Sequence, residues 1–167
     1  MVDELLAKDY IDEADWASLS SIMAPQPQPD LRLAFKPTLF FFYGTLTIPE
    51  VLRRILGLNE PPILLNATTR LFKLKLWGPY PALVAPSAEE DPKNRVPVPG
   101  VACTIETEEQ LNRLVAYEGE NYTISETLVE LHDTRNANGT YAKTFIWKGY
   151  PEELTDGFFD VAAFKNY

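Results

Sequence analysis

Two stretches of this chain carry residues whose types and spacing could do chemistry. The first leads to Glu118. Thr107-Glu108-Glu109-Gln110 has the form of a capping box and opens a helix that Gly119 should close. Leu111, Leu114 and Val115 form its apolar face, and Glu118, seven, four and three residues after them, falls on that same face. Burial of a carboxyl raises its pKa, and the negative end of the helix dipole adds to the shift. An acid moved toward neutrality inside a cleft is what a general base requires. The same residue could instead accept a backbone N–H at the helix end or be held by Lys or Arg. Glu108, Glu109 and Glu120 are better placed for water.

The second stretch is Phe40-Phe41-Phe42-Tyr43-Gly44-Thr45-Leu46. Four successive aromatics read as a buried strand, and Gly44 stops it with a tight turn. Thr47-Ile48-Pro49-Glu50 again resembles a capping box, with a helix expected from Ile48 to Leu56 and Gly57 as its C-terminal cap. Strand end, glycine turn and helix start leave several backbone N–H groups unpaired, a cradle suited to a carboxylate or another oxyanion. The spacing serves a ligand-free strand-to-helix corner equally well.

The elements that must position these residues belong to a chain of 167 residues, enough for one domain with a full core. It is 46% hydrophobic and 12% aromatic, too apolar for disorder. A net charge of −9 with no basic cluster argues against nucleic acid. The lone cysteine, Cys103, excludes an internal disulfide framework and fits a reducing, cytoplasmic setting. No apolar run has the length of a membrane span, and the acidic start is unlike a signal peptide, so three Asn-x-Thr sequons read as chance.

Residues 1–29 form a separate arm: an acidic amphipathic helix over 1–23, then the stiff spacer Pro25-Gln26-Pro27-Gln28-Pro29. The arm offers a surface for packing on the domain, on a partner or on a second copy. Residues 30–167 form the domain proper. Strands are expected at Arg70 to Trp77, Ala82 to Val84, Val96 to Glu106, Tyr122 to Leu131 and Tyr141 to Lys148, with a hairpin turn at Asn136-Ala137-Asn138-Gly139. The tail, with Phe158, Phe159 and Phe164, is apolar enough to pack back. Five or six strands, two or three helices and no β-α repeat indicate an α+β fold, a small mixed β-barrel flanked by helices.

Tyr43-Gly44-Thr45-Leu46, then Tyr80-Pro81-Ala82-Leu83-Val84, Gly100-Val101 and Tyr117-Glu118-Gly119-x-x-Tyr122 together resemble the gamma-glutamylcyclotransferase family, in particular its AIG2-like branch. The similarity covers about residues 38 to 148. It implies a barrel with a cavity beside the Tyr43–Leu46 loop, whose backbone groups at Gly44, Thr45 and Leu46 hold a glutamyl group. It also implies that Glu118 is the catalytic acid/base, with Tyr43, Tyr80 and Tyr122 at the substrate. Two positions depart from the family's pattern: Val115 stands for an Asp and Ile124 for an Arg.

The implied reaction closes a γ-glutamyl amide on its own α-amine, giving 5-oxoproline and a free amine. The nucleophile belongs to the substrate, so neither a Ser nor a Cys nucleophile is required, and no cofactor or metal is called for. His132, the one histidine, reads as structural. With Phe40, Phe41, Phe42, Tyr80 and Tyr122 in or beside the motifs, the pocket should be aromatic and short of cations, favouring a substrate other than glutathione. The alternative is a non-catalytic AIG2-like module that binds a small molecule or a protein.

Overall fold

The computed structural model of the protein describes residues 34–132 and 139–164. The expected N-terminal arm and the Asn136–Asn138 part of the hairpin turn lie outside these residues, as does the Phe164 side chain.

Seven strands and two α-helices make up the described fold. The strands are β1 (Thr38–Phe42), β2 (Leu65–Thr69), β3 (Lys73–Trp77), β4 (Tyr80–Val84), β5 (Val98–Ile105), β6 (Tyr122–Leu131) and β7 (Thr140–Trp147). The helices are α1 (Pro49–Leu56) and α2 (Glu108–Glu118). Strands β1, β5, β2, β6 and β7 close into a mixed barrel in that order, while β3 and β4 form a separate two-stranded sheet. The expected α+β barrel is therefore present. Among the described residues no helix is long and apolar enough to cross a membrane.

Strand alternation divides the aromatic run between two faces. Phe41 and Tyr43 stack with centroids 6.3 Å apart and join the barrel core with Ala67, Val98, Ala102, Val129 and Ala142. Phe40 and Phe42 stack at 6.0 Å on the opposite side of β1, and both are buried. The core also holds a polar pair, Thr69 and Thr127, whose hydroxyls meet at 2.7 Å. Thr69 donates its own proton to the Leu128 carbonyl at 3.0 Å and accepts from Thr127, so neither hydroxyl is left unbonded among apolar neighbours.

Strand β2 is a middle strand of the barrel, paired with both β5 and β6, and its sequence gave no strand signal. Leu-Asn-Ala-Thr-Thr lacks the large alternating apolar residues that mark a strand, because a narrow barrel interior takes small side chains at Ala67 and Thr69. The strand expected from Arg70 begins only at Lys73.

The helix starts show which capping boxes form. At α2, Thr107 accepts from the Gln110 N–H at 3.2 Å, and the Gln110 side chain accepts from the Glu106 N–H at 2.9 Å. At α1, Ile48 holds the cap position, Thr47 instead donates to the Gly44 carbonyl at 2.7 Å, and Glu50 pairs with Arg53. The expected box at Thr47 is thus replaced by a short 3-10 turn over Thr45–Thr47. In the tail, Phe158 is 92% exposed and does not pack back, whereas Phe159 lines a small cavity with Tyr43 and Val161.

The seam of the barrel is the parallel contact of β1 with β7, registered at Phe40 opposite Lys143. Side chains stitch it further: Thr144 donates to the Phe41 carbonyl at 2.9 Å, and Tyr43 donates to the Phe145 carbonyl at 2.6 Å. The Tyr43 oxygen also accepts from the Leu83 N–H of β4 at 3.3 Å. Tyr43→Phe keeps the ring and strips both bonds, leaving a buried N–H without a partner. It should cost about 1–3 kcal/mol, measured by urea denaturation. A loss below a few tenths of a kcal/mol would show that the seam does not depend on the hydroxyl.

Candidate active site

Beyond Phe42 the chain turns sharply, and the turn leans on β4. A Cβ built on Gly44 would sit 2.9 Å from the Pro81 Cγ, so any side chain there would push the turn off the hairpin. Pro81 is held from its other side, where its carbonyl accepts from the Tyr122 hydroxyl at 3.0 Å. Within the turn, Thr47 N–H donates to Gly44 O at 3.0 Å and Ile48 N–H to Thr45 O at 3.1 Å. The N–H groups of Gly44, Thr45 and Leu46 donate to none of the turn's bonds.

Helix α2 brings Glu118 to the same place. Leu114, fully buried, anchors the helix four residues earlier, and Gly119 ends it with a φ of 84° that side chains resist. Val115, expected on the buried face, is 45% exposed. The face is narrower than the apolar pattern suggests: one residue past Leu114 is a rotation of about 100°, enough to carry Val115 into water. Glu118 itself stays on the Leu114 side.

One cavity of about 270 Å³ gathers Tyr43, Gly44, Thr45, Leu46, Tyr80, Tyr122 and Glu118, every candidate site residue named from sequence. Phe41, Phe42, Trp77, Pro81, Tyr117 and Phe145 complete the lining, and none of the thirteen residues is Lys, Arg or His. Phe40, one of the aromatics in or beside the motifs, is buried but is not part of this lining. His132 falls just past β6 and is exposed.

Three tyrosines have fixed positions. Tyr43 and Tyr122 spend their hydroxyls on backbone carbonyls, and both are pushed well up, first by burial and then by the Glu118 charge. Both remain neutral hydroxyls. Tyr117 bonds the Thr45 hydroxyl at 2.7 Å, tying the end of α2 to the glycine turn. Sequence reasoning did not single out Tyr117 as a pocket residue, although its place beside Glu118 was the available signal. Trp77 and Phe145 were also missed. Trp77 packs on Trp147 at 5.0 Å, and Tyr122 meets that ring edge-on at 5.5 Å, so one side of the cavity is a rigid aromatic wall.

Glu118 is raised to about 7, and the cause is burial. No ion pair among the described residues involves it: Arg53 pairs with Glu50 and Arg113 with Glu109. The structural alternative of a carboxylate held by either arginine is therefore absent here. Cys103 is buried in β5 and its thiol is pushed up to about 11, a neutral, unreactive state at physiological pH.

Residues 40–160 match the family described as gamma-glutamyl cyclotransferase, AIG2-like, and the chain belongs to that family. Among solved structures it is similar to an Arabidopsis thaliana protein determined in solution, at 26% identity and TM-score 0.57 over 79% of this chain and 83% of that one. It is similar in fold to a mouse AIG2-like protein, at 17% identity and TM-score 0.52 over 71% and 82% of the two chains. A yeast gamma-glutamyl cyclotransferase specific to glutathione shares the fold at 15% identity and TM-score 0.51, over 68% and 69%. None of the curated proteins matches the sequence.

A carboxyl whose folded pKa is raised from 4.5 to about 7 destabilises the fold once it ionises. The penalty is absent below pH 4.5, grows from there to about pH 7 and is complete above. It is at most about 3 kcal/mol, and solvent at the cavity mouth reduces it. Glu118→Gln should therefore be more stable than the wild type at pH 8 and equal to it at pH 4, by denaturant titration at both. Equal stability at both pH values would mean that Glu118 is not desolvated.

Proposed function

We propose that the protein is a gamma-glutamylcyclotransferase-like enzyme acting on a γ-glutamyl amide other than glutathione. The supporting observation is the Glu118 carboxyl: desolvated, in no ion pair among the described residues, and lining one cavity with Gly44, Thr45 and Leu46, whose N–H groups make none of the turn's own hydrogen bonds. The substrate's α-ammonium gives a proton to the Glu118 carboxylate, and the freed amine attacks its own γ-carbonyl carbon. A new C–N bond closes the five-membered ring while the carbonyl oxygen gains charge. As the bond to the leaving nitrogen breaks, Glu118 returns its proton to that nitrogen. The second proton of the ring nitrogen passes through the same carboxylate to the released amine, which leaves as an ammonium. The products are 5-oxoproline and an amine. Holding nucleophile and carbonyl within one folded substrate supplies much of the rate, and one carboxyl near neutrality serves both transfers. Donors at the turn suit the α-carboxylate or the developing oxyanion.

The cavity lining favours the choice of substrate. With no basic side chain among its residues, nothing there complements a second carboxylate such as the glycine end of glutathione. Trp77, Tyr80 and Tyr122 suit an aromatic or aliphatic leaving group instead. The net charge of −9 further disfavours polyanionic substrates at long range.

Replacement of both family positions, by Val115 and Ile124, favours a second reading: a non-catalytic AIG2-like module that keeps the pocket for binding a small molecule or a protein.

Three measurements test the enzymatic reading. Glu118→Gln should lower turnover by roughly 10²–10⁴-fold, and wild-type kcat/KM should rise with pH until the carboxyl titrates near 7; retention of turnover within a few-fold would remove Glu118 as the base. Release of 5-oxoproline should be faster from a γ-glutamyl arylamide than from glutathione at equal concentration. Faster release from glutathione would contradict the reading of the pocket, and release from neither would favour the binding module.

A further inference from the structure

A second cavity, of about 690 Å³, lies between β3, the segment 94–99 and the residues around Phe158. It is larger than the Glu118 cavity, and the two share no lining residue. Phe72, Leu74, Val96, Val98 and Phe158 give it a predominantly apolar wall. Two of these stand in water and add little to the stability of the fold: Val96 is 76% and Phe158 92% exposed.

Its charged groups are unequally spent. Glu90 pairs with Lys73 at 3.4 Å, and Asp156 pairs with Lys75 at 3.6 Å, so both carboxylates in the lining have a cation. Arg95 also lines the cavity, and no carboxylate among the described residues pairs with it. Its Nε is a buried side-chain polar atom with no hydrogen-bond partner among the described residues. Buried donors are rarely left so, and a guanidinium presents a planar fork that matches a carboxylate. Large apolar volume and one uncommitted cation together define a ligand with an apolar body and a single negative end.

We propose that this cavity binds an amphipathic monocarboxylate, its hydrocarbon part against Phe72, Leu74 and Val98 and its carboxylate on Arg95. Val96 and Phe158 then cover the bound chain at the rim. The site is separate from the Glu118 cavity and does not depend on the reaction assigned there.

The probes are decanoate and 1-decanol, which share a chain and differ in charge, titrated calorimetrically into the full-length protein at neutral pH. Decanoate should bind one per chain and at least about ten times more tightly than decanol. Arg95→Met, which keeps much of the aliphatic bulk, should lose about ten-fold in decanoate affinity and leave decanol unchanged. Glu118→Gln should bind decanoate as the wild type does. Amide shifts in the wild type should move at Phe72, Leu74, Val96 and Phe158 and stay still at Gly44 to Leu46. Equal affinity for the two probes, no binding, an unaffected Arg95→Met or shifts centred on the glycine turn would each overturn the proposal. Should Arg95→Met fail to fold, the wild-type probe pair and the shift map decide alone.

Discussion

The site depends on one buried hydroxyl. Tyr43 stands where β1 ends, and its oxygen is shared between the Phe145 carbonyl of β7 and the Leu83 N–H of β4. A single side chain therefore ties the barrel's parallel seam to the hairpin that lies outside the barrel. The glycine turn starts at the next residue, so its position against Pro81 follows from that anchorage. Removing the ring would loosen the cavity floor and its wall together. Tyr43 reads as a substrate contact from its motif; in the structure its hydroxyl is already committed to the scaffold.

Burial acts on two reactive groups in opposite functional directions. The Cys103 thiol, pushed up to about 11, is silenced. Glu118, raised to about 7 by the same cause, arrives where it can take up and release a proton with little free-energy change. The neighbouring tyrosines contribute to this without ionising: the Glu118 charge raises their pKa values, and they stay neutral at its side. The site thus holds one titrating group in an aromatic enclosure, at the expense of some stability above neutral pH.

The sequence made the site more legible than the frame around it. Glu118 could be singled out because a carboxylate in helical phase with Leu111 and Leu114 breaks the amphipathic rule, and Gly44 because a glycine after four aromatics needs a cause. The barrel was harder. Strand β2 packs through Ala67 and Thr69, which are too small to write the alternation of large apolar residues that marks a strand, and its partners lie far along the chain. Val115 was misassigned because an apolar residue on a helix need not be buried when the covered face is narrow. The Thr47 box failed since the hydroxyl found the Gly44 carbonyl first, a local competitor that spacing cannot rank. Pocket residues such as Trp77 and Phe145 come from strands whose convergence is purely tertiary.

Helix α2 has both ends pinned, by the Thr107 cap and by Gly119, with eleven residues between them. It therefore works as a ruler. Each residue added or removed inside it would swing Glu118 by about 100° around the axis and shift it by about 1.5 Å. A single-residue indel would aim the carboxylate at solvent or into the barrel wall, while the fold itself could survive. Length variation in descendants of this chain should accordingly collect in the connections, such as 85–97, and spare the interval from Thr107 to Gly119. Loss of activity by a change of phase, with every site residue still present, is a failure that an inventory of residues would not detect.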